Sequence, residues 1–171
     1  VWADDVLDNA SYRSADGIVR FVRDVIGADP TPYQEDILRM LAIHKRVAVR
    51  GPHGLGKTAM ASWVTLWAVS CHGDDVKVVM TASAWRQLTH FLCPEIRKWA
   101  SKVDWSKLGM LMRRGKELLE YGIKLPGREA FPVASDNPAL IEGAHADVMF
   151  YIFDEAKAIQ NQTWEAAEGA F

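Results

Sequence analysis

The chain has little of what marks a secreted, membrane-spanning or fibrous protein. Among its 171 residues only Cys71 and Cys93 are cysteines. Neither sits in a cluster with metal-ligand spacing, so they argue against a disulfide framework and read as buried thiols in a reducing compartment. No apolar run reaches the roughly 20 residues that a bilayer-spanning helix needs, and no signal-peptide pattern is visible. Internal repeats and low-complexity linkers are absent. Neither sign of charge dominates: 20 Lys and Arg stand against 22 Asp and Glu, a balance that argues neither for nor against a nucleic-acid partner. What is left is the composition of one sizeable globular domain. The chain opens on Val1 and stops soon after an acidic motif, so a C-terminally truncated fragment of a longer polypeptide is expected, with residues 1–30 as a helical extension to a single domain.

Against this plain background one run carries chemistry. Gly51-Pro52-His53-Gly54-Leu55-Gly56-Lys57-Thr58 fits the phosphate-loop pattern G-x-x-x-x-G-K-[ST] at every fixed position. The residues before it, Arg46 to Arg50, read as a short buried strand, and Thr58 to Val69 as an apolar helix. Glycines let the backbone curl so that successive N–H groups point at an anion, and the helix N-terminus adds its partial positive charge. Lys57 is placed to reach the β- and γ-phosphates, Thr58 to ligate Mg²⁺, and Ala59 continues the same phosphate-binding turn. The bland alternative, a glycine turn before an ordinary helix, does not explain the Lys-Thr pair.

Along the rest of the chain, apolar periodicity predicts elements in alternation. Ile18, Phe21, Val22, Val25 and Ile26 recur at helical spacing until Asp29-Pro30-Thr31-Pro32. A second helix follows from Tyr33 to about His44, with Ile37, Leu38, Leu41 and Ala42 on one face. Val76 to Thr81 reads as a strand after the turn at His72-Gly73-Asp74-Asp75. Ala84 to about Ser101 reads as a long helix bearing Trp85, Leu88, Phe91, Leu92, Ile96 and Trp99. Between 102 and 135, short apolar pieces at 108–112, 118–123 and 131–134 alternate with glycines, as in antiparallel hairpins. Val148 to Phe153 is an apolar strand. Alternating strands and helices argue for an α/β fold with a mainly parallel sheet covered on both faces.

The strand at 148–153 ends in Asp154-Glu155. An apolar strand followed by this pair is the expected partner of a phosphate loop, with Asp154 holding Mg²⁺ opposite Thr58 and Glu155 deprotonating the attacking water. Alone the pair is a weak signal, since acidic residues often open helices. Upstream, Thr31-Pro32-Tyr33-Gln34 opens the helix that precedes the loop. The Gln34 carboxamide offers both a donor and an acceptor to an adenine edge, and Tyr33 offers a ring to stack on the base. A capped helix start is the alternative.

Together Pro32-Tyr33-Gln34, Gly51 to Thr58, Thr81-Ala82-Ser83 with Gln87, and Gly143-Ala144-His145-Ala146-Asp147 leading into Asp154-Glu155-Ala156 make the chain resemble the ATPase domain of the large terminase subunit of tailed bacteriophages. The resemblance runs from Pro32 to the end. It implies a RecA-like P-loop NTPase fold with a small antiparallel hairpin extension and a Mg-dependent ATPase that drives translocation of double-stranded DNA. It also implies a homo-oligomeric ring on a portal protein, a small terminase subunit as partner, the host cytoplasm as compartment and no membrane. A C-terminal nuclease domain usual in that family is not in the chain. The chain also departs from the family at the loop, where many terminases carry an arginine and this sequence has His53; Arg50 is adjacent, at the expected strand end. Glu142 stands where an arginine often precedes the second acidic strand. A finger from a neighbouring subunit is thus unassigned, with Arg113, Arg114 and Arg128 as candidates against the simpler reading of solvated surface arginines.

The motifs overlap with superfamily-two helicases, which need a second RecA-like domain, and a nucleotide-binding assembly module with little turnover is a non-enzymatic alternative. The intact Asp154-Glu155 pair argues against the latter. For DNA, Arg97, Lys98, Lys102, Lys107, Arg113, Arg114 and Lys116 cluster with few acids between them, as a phosphate-tracking surface or as a solvated face. Thr81, Ser83 and Gln87, at a strand end and helix start, are placed for DNA contact or for capping. The tryptophans at 63, 67, 85, 99 and 105 read as core or interface.

Overall fold

The computed structural model describes residues 8–169. A 3-10 turn, Asn9–Arg13, leads into helix α1 (Ala15–Arg20), which Ser14 caps by accepting from the Gly17 N–H at 3.0 Å. A π-helical turn, Phe21–Val25, extends it. This helix ends before Gly27, which is left-handed with φ of +72°, and Pro32 opens α2 (Pro32–Ile43), where a proline's missing N–H costs nothing. The glycine loop delivers α3 (Lys57–Cys71), and a turn through Gly73 delivers β1 (Val76–Ala82). The next helix is one rod in three parts: α4 (Trp85–Gln87), a π turn (Leu88–Leu92) and α5 (Cys93–Ala100). The short strands β2 (Ile123–Leu125) and β3 (Arg128–Pro132), helix α6 (Pro138–Glu142), β4 (Val148–Asp154) and α7 (Asn161–Glu168) complete the described chain.

The four strands form one sheet in the order β2-β3-β1-β4. β1 is parallel to both β3 and β4, and only the β2–β3 hairpin is antiparallel. The fold is therefore α/β with a mostly parallel sheet flanked by helices. Side-chain alternation along β1 divides the interior. Val78, Met80 and Ala82 pack into the larger core with α3 and the Leu88–Ala100 rod. Val79 packs on the opposite face with Ile141, Ala166 and Ala167. No helix among the described residues is long and apolar enough to cross a membrane.

Helix α3 is the centre of the larger core and is buried on all sides from Ser62 to Cys71. Two of its polar side chains bond back to the helix itself: Ser62 donates to the Thr58 carbonyl and Thr65 to the Ala61 carbonyl, both at 2.8 Å. The Trp67 indole donates to the Tyr12 carbonyl at 2.7 Å. At the C-terminus, the Arg13 guanidinium donates to the Cys71 carbonyl and Arg128 reaches the Val69 and Ser70 carbonyls at 3.5 Å. Cations at this end satisfy orphan carbonyls and complement the helix dipole. Both cysteines are free and buried, and burial pushes the thiols up, Cys71 to about 12 and Cys93 to about 11.

Three sequence expectations change. Residues 46–50 form no strand, and among them only Val47 is even partly covered. Three apolar residues bracketed by Lys45, Arg46 and Arg50 bury too little to offset the entropy of ordering them; Arg46 instead pairs with Glu168 of α7 at 2.9 Å. The hairpins expected over 102–135 reduce to β2–β3, whose second strand is built into the parallel sheet; 108–112 is not a strand and Leu118 makes only isolated bridges. The single helix expected over 84–101 carries a π turn at Leu88–Leu92; Trp63, Trp67 and Trp105 are buried, and Trp85 and Phe91 are exposed.

His72, at the end of α3, gives a pH test of this core. Its ring lies edge-on to Trp67 and Phe150, with centroids 4.2 and 5.0 Å away. Burial, aided by Arg13, lowers its pKa to about 4. The unfolded chain takes up the proton first, near pH 6.5. The neutral ring's contribution is therefore full above pH 6.5 and is lost as pH falls toward 4. Urea midpoints measured from pH 7 to 4 are expected to fall more steeply for the wild type than for His72→Gln; parallel curves would refute the burial of a neutral ring.

Candidate functional site

The glycine loop at 51–58 is braced from α2. The Gln34 carboxamide accepts from the Thr31 N–H at 2.9 Å and donates to the Leu55 carbonyl at 3.2 Å, and the Tyr33 hydroxyl donates to the same carbonyl. Gly54 and Gly56 are left-handed, with φ of +84° and +73°. A Cβ on Gly56 would lie 2.7 Å from the Gln34 nitrogen, so this glycine is required both by its backbone and by its neighbour. Lys57 folds back across the loop and donates to the carbonyls of Gly51 at 2.9 Å and Pro52 at 2.7 Å. The α3 ladder begins with the Met60 N–H on the Gly56 carbonyl at 3.0 Å. The N–H groups of the first turn thus stand at the mouth of the loop, the position that binds anions.

This loop forms one wall of a cavity of about 540 Å³, lined there by His53, Gly54, Gly56, Lys57, Thr58 and Ala59. The opposite wall is Asp154 and Glu155. Parallel pairing of β4 with β1 puts Asp154 in register with Ala82 at the strand ends. The sequence pairs its glycine loop with an acidic motif almost one hundred residues later, and the fold brings Lys57, Thr58, Asp154 and Glu155 to one cavity. A smaller hollow of about 260 Å³ on the β2–β3 hairpin holds none of the residues singled out by the sequence.

The acidic pair is electrostatically and conformationally loaded. Burial raises the Asp154 pKa above the usual carboxylate range; the Glu155 charge adds to this, while Lys57 and the Glu155 N–H, which donates to Asp154 Oδ1 at 3.1 Å, oppose it. A half-buried carboxylate held this way gains from a cation beside it. Glu155 is the one non-glycine with positive φ among the described residues, at φ 49° and ψ 44°. A left-handed residue with a Cβ costs roughly 1–2 kcal/mol, and such strain collects at functional sites. Among the described residues no three His, Cys, Asp or Glu side chains cluster as a metal cage. Mg²⁺ does not need one, since it takes one or two protein oxygens plus substrate phosphates and water. The desolvated Asp154 carboxylate and the Thr58 hydroxyl in one cavity fit that demand.

Other sequence candidates are distributed differently. Gln34 is buried and spends both ends of its carboxamide inside the protein, so contact with an adenine edge would require exchanging those bonds; the Tyr33 ring is 37% exposed beside the loop. Arg128 is committed to the α3 terminus and to Asp74 at 2.8 Å, and Arg113 is paired with Glu117. Arg50 does not line the cavity, whose basic side chains are Lys57 and His53 alone. In the basic cluster, Lys98 pairs with Glu95 at 3.0 Å, and Lys98 and Lys102 both lie over the Trp99 ring. Two cavity residues escaped the sequence reading. Phe91, named in the sequence only as an apolar residue of the helix over 84–101, and Glu95 line the cavity with Gln87. Gln87, Phe91 and Glu95 follow one another at intervals of four residues, and that spacing was the available signal. Compared with family models, curated proteins and solved structures, the chain matches none.

The strain at Glu155 yields a stability test. Glu155→Gly and Glu155→Asn place residues that accept the left-handed region. Each variant is expected to raise folding stability by roughly 0.5–1 kcal/mol, after the extra chain entropy of glycine is allowed for. Urea denaturation measures this, and a loss of stability in both would show that the carboxylate supports the fold rather than straining it.

Proposed function

We propose that the chain is a Mg-dependent ATPase, the motor domain of a terminase-type DNA packaging machine that couples hydrolysis to movement of double-stranded DNA. The observation that carries the ATPase reading is the single cavity that holds Lys57, Thr58, Asp154 and Glu155. The step to DNA packaging rests on the resemblance of the motifs.

In this reading the loop N–H groups and the α3 N-terminus cradle the β- and γ-phosphates, and Lys57 trades its bonds to the Gly51 and Pro52 carbonyls for phosphate oxygens. The Tyr33 ring, exposed beside the loop, is the place for adenine. Asp154 and Thr58 would hold Mg²⁺, which neutralises phosphate charge. Water attacks the γ-phosphorus in line, its proton passes to Glu155, and the bond from the γ-phosphorus to the bridging oxygen breaks to leave ADP. Among the described residues that line the cavity, Lys57 is the one permanent cation, so the remaining charge stabilisation is assigned to an arginine of a neighbouring subunit, a contribution worth several orders of magnitude in related chemistry. Basal turnover by the chain alone is accordingly slow.

Lys57→Ala is expected to weaken Mg-ATP binding strongly and to abolish phosphate release. Glu155→Gln is expected to keep binding within a few-fold and to cut turnover about 100-fold or more. Equilibrium binding of a fluorescent ATP analogue and a phosphate-release assay, with and without double-stranded DNA, separate the two. Unchanged hydrolysis in either variant sinks the ATPase reading; hydrolysis that DNA never stimulates sinks the motor reading and leaves the ATPase.

A further inference from the structure

We infer that Gln87 is a positioning residue for the attacking water and the γ-phosphate, acting across the cavity from the phosphate loop. The inference rests on the ATPase reading above and goes beyond it. The chain that leaves β1 must start its helix beside the acidic pair, because Ala82 at the end of β1 is in register with Asp154. Gln87, Phe91 and Glu95 of that helix line the cavity with Asp154 and Glu155. In a uniform α-helix, residues four apart are rotated by about 40° relative to each other, so three residues spanning eight positions drift off one wall. Here the π turn Leu88–Leu92, closed by the Cys93 N–H on the Leu88 carbonyl, lies between them. Its wider turn takes up that drift and keeps the three on one face; π turns within helices recur at functional sites for this kind of reason.

The three side chains differ in what they are free to do. Glu95 is tied down, accepting from the Trp99 indole at 2.7 Å and from Lys98 at 3.0 Å. Phe91 is 56% exposed, an apolar side chain on the rim of a polar cavity. Gln87 is partly buried, and its carboxamide has no hydrogen-bond partner within the described chain. A carboxamide donates and accepts at once. Its nitrogen can donate to a γ-phosphate oxygen while its oxygen accepts one hydrogen of the attacking water, leaving the other hydrogen for Glu155. A carboxylate in its place would repel the phosphate. Holding a water in line by two acceptors is the kind of positioning that glutamine provides in other nucleotide hydrolases. The placement also separates Gln87 from a DNA-contact role, since it opens on the cavity that holds the acidic pair.

The test compares Gln87→Met, which keeps the shape of the wall, and Gln87→Glu, which keeps an acceptor and loses the donor, with wild type and Lys57→Ala. Saturating turnover, the affinities for Mg-ATP and Mg-ADP, and the thermal midpoint are measured. Expected are turnover lower by about 10- to 100-fold in both variants, ADP affinity within about 2-fold of wild type, and an unchanged midpoint. Turnover within 2-fold of wild type in Gln87→Met, or equal losses of ATP and ADP affinity with turnover restored at saturation, would overturn the inference. So would a loss confined to the DNA-stimulated rate. If the wild type neither binds nor hydrolyses ATP, or Lys57→Ala matches it, the ATPase reading fails and takes this inference with it. If Lys57→Ala is inactive and Gln87→Met is not, only the inference fails.

Discussion

The site depends on the burial of one helix. α3 carries Lys57 and Thr58 on its first turn and is dry from Ser62 to Cys71. A helix exposed on one side can slide or tilt at modest cost, whereas one packed on every side cannot move without opening cavities, and interiors at crystal-like density penalise that strongly. The far end is fixed as well. Arg13 from the N-terminal segment and Arg128 from β3 converge on the last carbonyls, so residues far from the loop in sequence set where the loop points. The near end is held by a single carbonyl, that of Leu55, which receives both Tyr33 and Gln34. The glycine loop is thereby a bracket between α2 and α3, and Gly56 is dictated by that bracket: the space its Cβ would need is occupied by Gln34.

The second constraint is the pairing of β1 with β4. A parallel pair ends both strands on the same side of the sheet, where ligand sites of open α/β sheets gather. The register then sets Asp154 beside Ala82 and starts the Trp85–Ala100 rod within reach of the same cavity. Glu155 follows immediately in a left-handed conformation. Strand pairing ends with Asp154, so the backbone turns where the second carboxylate begins, and the aromatic stack of Phe153 on Trp164, centroids 4.0 Å apart, anchors the strand just behind it. Such strain persists where the surrounding structure fixes the chain, and on the N-terminal side β4 and the Phe153–Trp164 stack do so.

Much of this was legible in the sequence, for a physical reason. α3, β1 and β4 are continuous apolar runs bounded by glycine or charge, and such runs keep their identity in any context that buries them. The glycine loop is legible because its chemistry is local. What the sequence hides is set by partners. Residues 46–50 have strand-like composition and yet join no strand of the described sheet, since strandedness is a property of an edge as much as of a segment. Gln34 reads equally well as a base-recognising carboxamide or as a brace, and only the position of the Leu55 carbonyl shows it in the second use. Phe91 has the spacing of a core residue on a regular helix; the π turn rotates it out, and nothing in the Leu88–Leu92 composition announces that turn.

Charge gives the sharpest reason to look beyond this chain for the rest of the apparatus. The cavity is lined by Asp154, Glu155 and Glu95 and by one permanent cation, Lys57, with His53 as the other basic group. Glu95 is offset locally by Lys98. That leaves two carboxylates against one ammonium where, on the proposed reaction, several further negative charges of a triphosphate must enter. In a partly desolvated cleft such an imbalance is costly, as the raised pKa of Asp154 already records for the pair alone. Mg²⁺, if held by Thr58 and Asp154 as proposed, would offset part of it. Position 53 carries an imidazole where the resembling family often carries a guanidinium. Of the candidate arginines, Arg113 and Arg128 already have carboxylate partners. A cation delivered from outside is therefore what the electrostatics of the cavity call for, and delivery by a neighbour would tie each hydrolytic step to the state of the adjoining subunit.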